Sequence, residues 1–248
     1  TKGSDNTAVG AQANINLTGS ERNTSVGSQA LFEAASIDDC TAIGYGALHD
    51  NQTSQLTAVG SRALHDNTSG QHNTAVGFQA MEKNIFGSFN TACGNFASRY
   101  SPNAVFNAAF GYSALLYNLA GFNTACGATA MQNNVTGSFD TAVGFAAMGY
   151  NLSGGFNTAC GSSASCYNQI GYFNNAFGYD ALKYNQGILN TAVGAFASTY
   201  NILGYGNTTV GDFALALNVA GFYNTAVGLY SSAISTFGYA NTSIGYNT

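Results

Sequence analysis

Charge is what this sequence most lacks. Asp, Glu, Lys and Arg make up 7% of its 248 residues, against roughly 25% in an ordinary soluble domain. Beyond residue 100 the charged side chains are Asp140, Asp180, Lys183 and Asp212 alone. So neutral a surface is poorly soluble as a free globule. The chain is therefore expected to rely on a partner subunit, a glycan coat, or its Asn, Ser and Thr. The net charge of -5 supplies no basic stripe, which excludes nucleic acid as a partner. No apolar run approaches the ~20 residues of a membrane span. The opening TKGSDNTAVG is not a signal peptide, and the chain reads as a mature or excised piece. Five cysteines without a CxxC pair form neither a zinc site nor a disulfide framework. GxSxG, P-loop and HExxH motifs are missing, and carboxylates are too few for an acid/base pair. No enzymatic activity and no cofactor are expected.

What the sequence does contain is a repeat. Motif-closing glycines fall at Gly10, Gly27, Gly44, Gly60, Gly77, Gly94, Gly111, Gly127, Gly144, Gly161, Gly178, Gly194, Gly211, Gly228 and Gly245. The step is 17 residues, shortened to 16 on reaching Gly60, Gly127 and Gly194, which nests a 67-residue unit of four repeats. Ala follows three residues after the glycine in 13 of 14 repeats, often with Leu or Met next. Asn and Gly come later and an aromatic leads back into the motif, as in Phe89-Asn90-Thr91-Ala92-Cys93-Gly94. A repeat this short cannot hold a helical hairpin, which needs ~34 residues. It suits one coil of a β-solenoid, with like positions stacked ~4.8 Å apart. The expected fold is all-β, a parallel β-solenoid of about 15 coils forming one repeat domain over 1–248. Each coil is expected to carry two strands, the F-N-T-A-V run and the x-x-A-L-x-Y run. Asn and Gly would supply the turns and their positive-φ positions.

Alternation places residues i and i+2 on one face of a strand. The position before each glycine is always apolar, so it is expected to point inward. Val76, Cys93, Phe110, Cys126, Val143, Cys160, Phe177 and Val193 would then form a structural ladder of large beside small side chains. By this reading three cysteines are small buried hydrophobes, and Cys40 and Cys166 are the more exposed pair. Thr stands two places earlier in 13 of 15 motifs and shares that inward parity. Were it to face outward, its column would suggest ice binding. His49 and His65 occupy the same place in successive Leu-His-Asp-Asn copies. They are weak metal candidates, with two solvated imidazoles as the plainer expectation. Candidate glycosylation acceptors are Asn16, Asn23, Asn51, Asn67, Asn134, Asn151, Asn207 and Asn241, each followed by x-Ser/Thr.

The TAVG and TAIG motifs, followed by a small-residue xxAL segment, resemble the YadA-like head repeats of trimeric autotransporter adhesins. Related NTAIGYxAL repeats occur in fibre proteins of bacteria and viruses. The likeness covers residues 6–245, with a longer period and with Thr in place of the first inward Val. It implies a left-handed β-roll, a homotrimer, and an adhesive role at the cell or virion surface toward a host-surface, matrix or glycan ligand. The expected function is an extracellular structural and adhesive fibre segment. The alternatives are an end-to-end polymerising filament subunit, a viral tail fibre, or an ice-binding solenoid using its Thr ladder.

Overall fold

The computed structural model describes residues 3–248. Among them there is no helix; short strands recur once per coil, as expected for a parallel β-solenoid. Contacts group the chain into two compact units, one ending at Phe122 and the other spanning Asn123–Thr248.

The first unit carries β1 (Thr7–Val9), β2 (Thr24–Val26), β3 (Thr41–Ile43), β4 (Thr57–Val59), β5 (Thr74–Val76), β6 (Thr91–Cys93), β7 (Ala108–Phe110) and the two-residue β8 (Tyr117–Asn118). Strands β1 to β7 pair in parallel, each with the next in the chain, and always in register: Thr74 opposite Thr91, Val76 opposite Cys93, Cys93 opposite Phe110. The second unit carries β9 (Thr124–Cys126), the two-residue β10 (Asn133–Asn134), β11 (Thr141–Val143), β12 (Thr158–Cys160), β13 (Asn175–Phe177), β14 (Thr191–Val193), β15 (Thr208–Val210), β16 (Thr225–Val227) and β17 (Thr242–Ile244). Its three-residue strands pair by the same rule, with Cys160 opposite Phe177 and Phe177 opposite Val193. Within each unit, like sits on like from coil to coil.

The expected second strand is mostly absent. The xxAL segments are turns, and most of their positive-φ residues are neither glycine nor asparagine, as at Arg62 and Leu64, Gln79 and Met81, Ser113 and Leu115. The hydrogen bonds supply the reason. Gln79 N–H donates to Ser61 O in the coil before, Met81 N–H donates to Ala97 O in the coil after, and Ala80 N–H turns back to Gly77 O. N–H groups two residues apart thus bond in opposite directions along the axis, whereas in a pleated strand they point the same way. The left-handed conformation costs about 1–2 kcal/mol per residue. Full burial of a Leu or Met returns roughly 1.5–3 kcal/mol, and Leu64, Met81 and Leu115 are completely enclosed.

The interior is narrow. It is filled by the middle residue of the main strand, by the Ala three places after the glycine, and by the adjoining Leu or Met. Ala42, Ala47 and Leu48 are fully buried in one coil, and Ala214, Leu215 and Ala226 pack as one cluster in the second unit. Two columns of asparagine complete it. Asn90 donates its side-chain amide to Asn73 Oδ1 at 3.2 Å and to Ala104 O at 2.7 Å, while its backbone N–H donates to Asn73 Oδ1 at 2.9 Å. In the other column Asn84 Nδ2 donates to Asn67 Oδ1 at 2.8 Å and to Gly87 O at 2.9 Å. Buried amides satisfied in this way incur no desolvation penalty. The motif glycine is required by contact as well as by φ: a Cβ on Gly94, at φ +142, would lie 2.4 Å from Gly111 O.

Candidate functional surface

The main strand presents the opposite face from the one expected. Ala92, Ala109, Ala142, Ala159 and Ala176 are sealed inside, and the residues on either side of them point out. Val76, Phe110, Val143, Phe177 and Val193 are 37–42% exposed, and Cys93, Cys126 and Cys160 are exposed thiols. The inward ladder is therefore an outward one. Volume is the reason: a coil already holding Leu or Met has room across from it for Ala, Ser or Thr, not for Phe.

The threonines share this outward parity. Thr91, Thr124 and Thr141 are exposed, and Thr74, Thr158 and Thr191 half-buried. In each unit the surface thus carries a Thr row beside an apolar row, both in register at the spacing of parallel strands. Where Phe110 and Phe177 enter the apolar row, Ala108 and Asn175 replace the threonine.

The cysteine assignment inverts with the face. Cys40 and Cys166 are the buried pair. Cys40 takes an asparagine place in the polar column, where its N–H donates to Asn23 Oδ1 at 3.0 Å. Burial pushes its thiol up to about 11 and burial raises Cys166 as well, so neither is a nucleophile at neutral pH. Most of the glycosylation candidates fail for a related reason. Asn23, Asn51, Asn67, Asn134, Asn151 and Asn207 are buried, with their amides spent on the interior columns; Asn151 Nδ2, for one, donates to Asn134 Oδ1 and Gly154 O. Asn16 and Asn241 are the exposed pair.

Other ladders run over the remaining surface. Phe89 and Phe106 stack 4.8 Å apart, as do Phe139 and Phe156 at 4.9 Å. Tyr150, Tyr167, Tyr184 and Tyr200 follow one another at 5.0–5.1 Å. These separations are the inter-coil spacing itself, so the fold sets the ring contacts. In the second unit the stacked Phe196, Phe213 and Tyr230 face the Tyr184, Tyr200, Leu217 and Ile234 column across a groove of about 510 Å³. The small Thr199, Ala216 and Ala233 line it, and Lys183 pairs with Asp180 at 2.9 Å on its margin. The sequence reading missed this groove; the replacement of Lys183 by Thr199 and then two alanines at one repeat position was its available signal.

His49 and His65 are brought together, as their equal repeat positions imply, but their rings are half-buried rather than fully solvated. They stack 4.7 Å apart with planes 7° from parallel, and both side chains are about 19% exposed. Each Nδ1 lies 2.5 Å from the next residue's carboxylate, Asp50 or Asp66. Asp66 also accepts from Lys83 Nζ at 2.6 Å. Burial raises the Asp66 carboxyl, but the hydrogen bonds from Lys83 and His65 outweigh it and hold the group below its ordinary value.

One buried carboxyl interrupts an asparagine column. Asp140 Oδ1 accepts from Asn157 N–H at 2.8 Å and Asn157 Nδ2 at 3.1 Å, and Oδ2 accepts from Asn151 Nδ2 at 2.8 Å. Burial nevertheless pushes its carboxyl up to about 7. Among the described residues, no helix is long and apolar enough to cross a membrane. Comparison with family models, with curated proteins and with solved structures finds no match to this chain.

Proposed function

We propose that the chain is a structural and adhesive segment of an extracellular fibre that associates with copies of itself, as a homotrimer or an end-to-end polymer. The observation that carries this reading is the outward row of Val, Cys, Ile and Phe side chains on a surface almost without charge. Contiguous exposed apolar surface marks interaction sites, and an in-register ladder offers the same contact at every coil. Ala108 and Asn175 beside Phe110 and Phe177 fit a row shaped to meet another surface. No catalytic group, cofactor or nucleic-acid partner enters this reading. Light scattering coupled to gel filtration, with cross-linking, tests it: trimers or concentration-dependent polymers are expected, and a chain that stays monomeric at high concentration sinks it.

The outward threonines favour a second reading, an ice-binding face. Thr hydroxyl and methyl groups recur there at the strand spacing, beside a row of Val. The Phe110 and Phe177 substitutions break that regularity, which places this reading second. Thermal hysteresis in a monomeric sample, lost on Thr141→Tyr, would move it to first.

A further inference from the structure

The cluster formed by His49, Asp50 and His65 is independent of the assembly reading and has a chemistry of its own. It is the group of three His, Cys, Asp or Glu side chains that stands out among the described residues as close enough to share an ion, with one ligand atom from each lying within 4.8 Å of the others. Its placement is fixed by the fold. Asp50 N–H donates to His65 O at 2.9 Å and Glu33 N–H donates to His49 O at 2.7 Å, which locks the two rings one coil apart. Phe32 closes one side, its ring 5.0 Å from His49.

The hydrogen bonds set the tautomer. A carboxylate only accepts, so Nδ1 of each imidazole carries the proton toward Asp50 or Asp66, and each Nε2 keeps its lone pair. A carboxylate behind an imidazole is the arrangement that orients metal-ligating histidines and raises their basicity. The space beside Nε2 is open because the chain has Gly46 where the adjoining coils carry Gln29 and Arg62. A Cβ at Gly46 would stand 3.2 Å from His65 Cδ2 and 3.6 Å from its Nε2. The two carboxylates are not equivalent. Asp66 is also held by Lys83, whereas Asp50 is the more open, its side chain 42% exposed against 25%.

We propose that His49 and His65, each through Nε2 with a carboxylate behind its Nδ1, bind one divalent transition-metal ion of the class that imidazole prefers, zinc or copper(II). Zn–N bonds of ~2.0–2.1 Å in tetrahedral geometry bring the two nitrogens to about 3.3 Å. The parallel rings must therefore tilt toward each other by a little over 1 Å from their 4.7 Å stacking. Two protein ligands leave two positions for water or other donors.

Titration calorimetry of the untagged full chain with Zn²⁺ alone tests the site. One ion per chain is expected, with His49→Gln and His65→Gln each weakening binding by about 100-fold or more, beyond the 10–100-fold typical of outer-shell changes. His72→Gln, which alters the third histidine, stacked on Phe89, is expected to leave the affinity unchanged. Electron paramagnetic resonance of the unmodified chain with Cu²⁺ needs no variant, and two equatorial imidazole nitrogens are expected in its hyperfine pattern. Absence of Zn²⁺ binding, full affinity in both histidine variants, loss of binding on His72→Gln, or a copper spectrum without imidazole nitrogen would each overturn the proposal.

Discussion

Cys93 lies in register with Phe110 on the adjacent parallel strand, and both side chains stand outside the coil while the preceding pair, Ala92 and Ala109, stands inside. A half-exposed thiol next to a half-exposed ring is a surface contact, and its consequences differ from those of a core pair.

Thiol chemistry should report the face directly. In the folded, dissociated chain Cys93, Cys126 and Cys160 are expected to react with a disulfide reagent, while Cys40 and Cys166 react only after unfolding. If the apolar row is the contact between copies, the three fast rates should fall as protein concentration rises. Fast labelling of Cys40 in the native state would contradict the placement of its column.

Core and surface should respond oppositely to volume. Ala109→Leu forces three extra carbons into a filled coil and is expected to cost 1–3 kcal/mol, roughly, or to block folding. Phe110→Val on the neighbouring exposed position should change monomer stability by no more than about 0.5 kcal/mol. Urea unfolding of the two variants checks this; equal losses would argue against the outward assignment.

Asp140 should give the second unit a pH dependence. Burial pushes its folded carboxyl up to about 7, against ~3.9 in an unfolded chain. Between those values the native state holds more protons than the unfolded one, so stability should fall as pH rises from 4 to 7 and level off above. Asp140→Asn restores a neutral amide to the column, and it is expected to flatten the melting temperature across that window and raise it at pH 8. An unchanged slope in the variant would show that another group is responsible.

The asparagine columns should be among the least tolerant positions. Asn174 is fully buried; it donates to Gly187 O at 2.9 Å and accepts from Asn190 N–H at 3.0 Å and Asn190 Nδ2 at 3.2 Å. Asn174→Ala leaves Asn190 N–H without its partner, while Gly187 O still accepts from Asn185 Nδ2 and Asn190 Nδ2 still donates to Gly204 O; at about 1–3 kcal/mol for the orphan the loss should exceed that of Phe110→Val in the same urea measurement.

The period, the in-register stacking and the role of the motif glycine were legible in the sequence, because identical residues at a fixed step can stack only one way. The facing of the strand was not, since a three-residue Thr-Ala-Val run alternates equally well in either parity and hydropathy ranks Val, Cys and Phe above Ala. A better signal was constancy of size. Position two of the strand is Ala in 12 of 15 motifs, with Ser25, Thr209 and Ser243 as the exceptions, while position three ranges from Cys to Phe. An interior of fixed cross-section demands the former. Asparagine was misread for the reverse reason: its ordinary place is a turn, and only the vertical repetition of its amide makes it a core residue. The His49–His65 pairing followed from their equal repeat positions, but Gly46 and the unequal settings of Asp50 and Asp66 are matters of side-chain placement that no spacing encodes.

The asparagine columns make each coil its own template. The amide that donates to the copy on one side accepts from the copy on the other, so a turn with asparagine in its columns can follow any other such turn without new partners being invented. Loss or gain of such a repeat by recombination would therefore leave the remaining junction chemically familiar, and a lineage carrying this gene could lengthen or shorten the product stepwise while keeping it foldable.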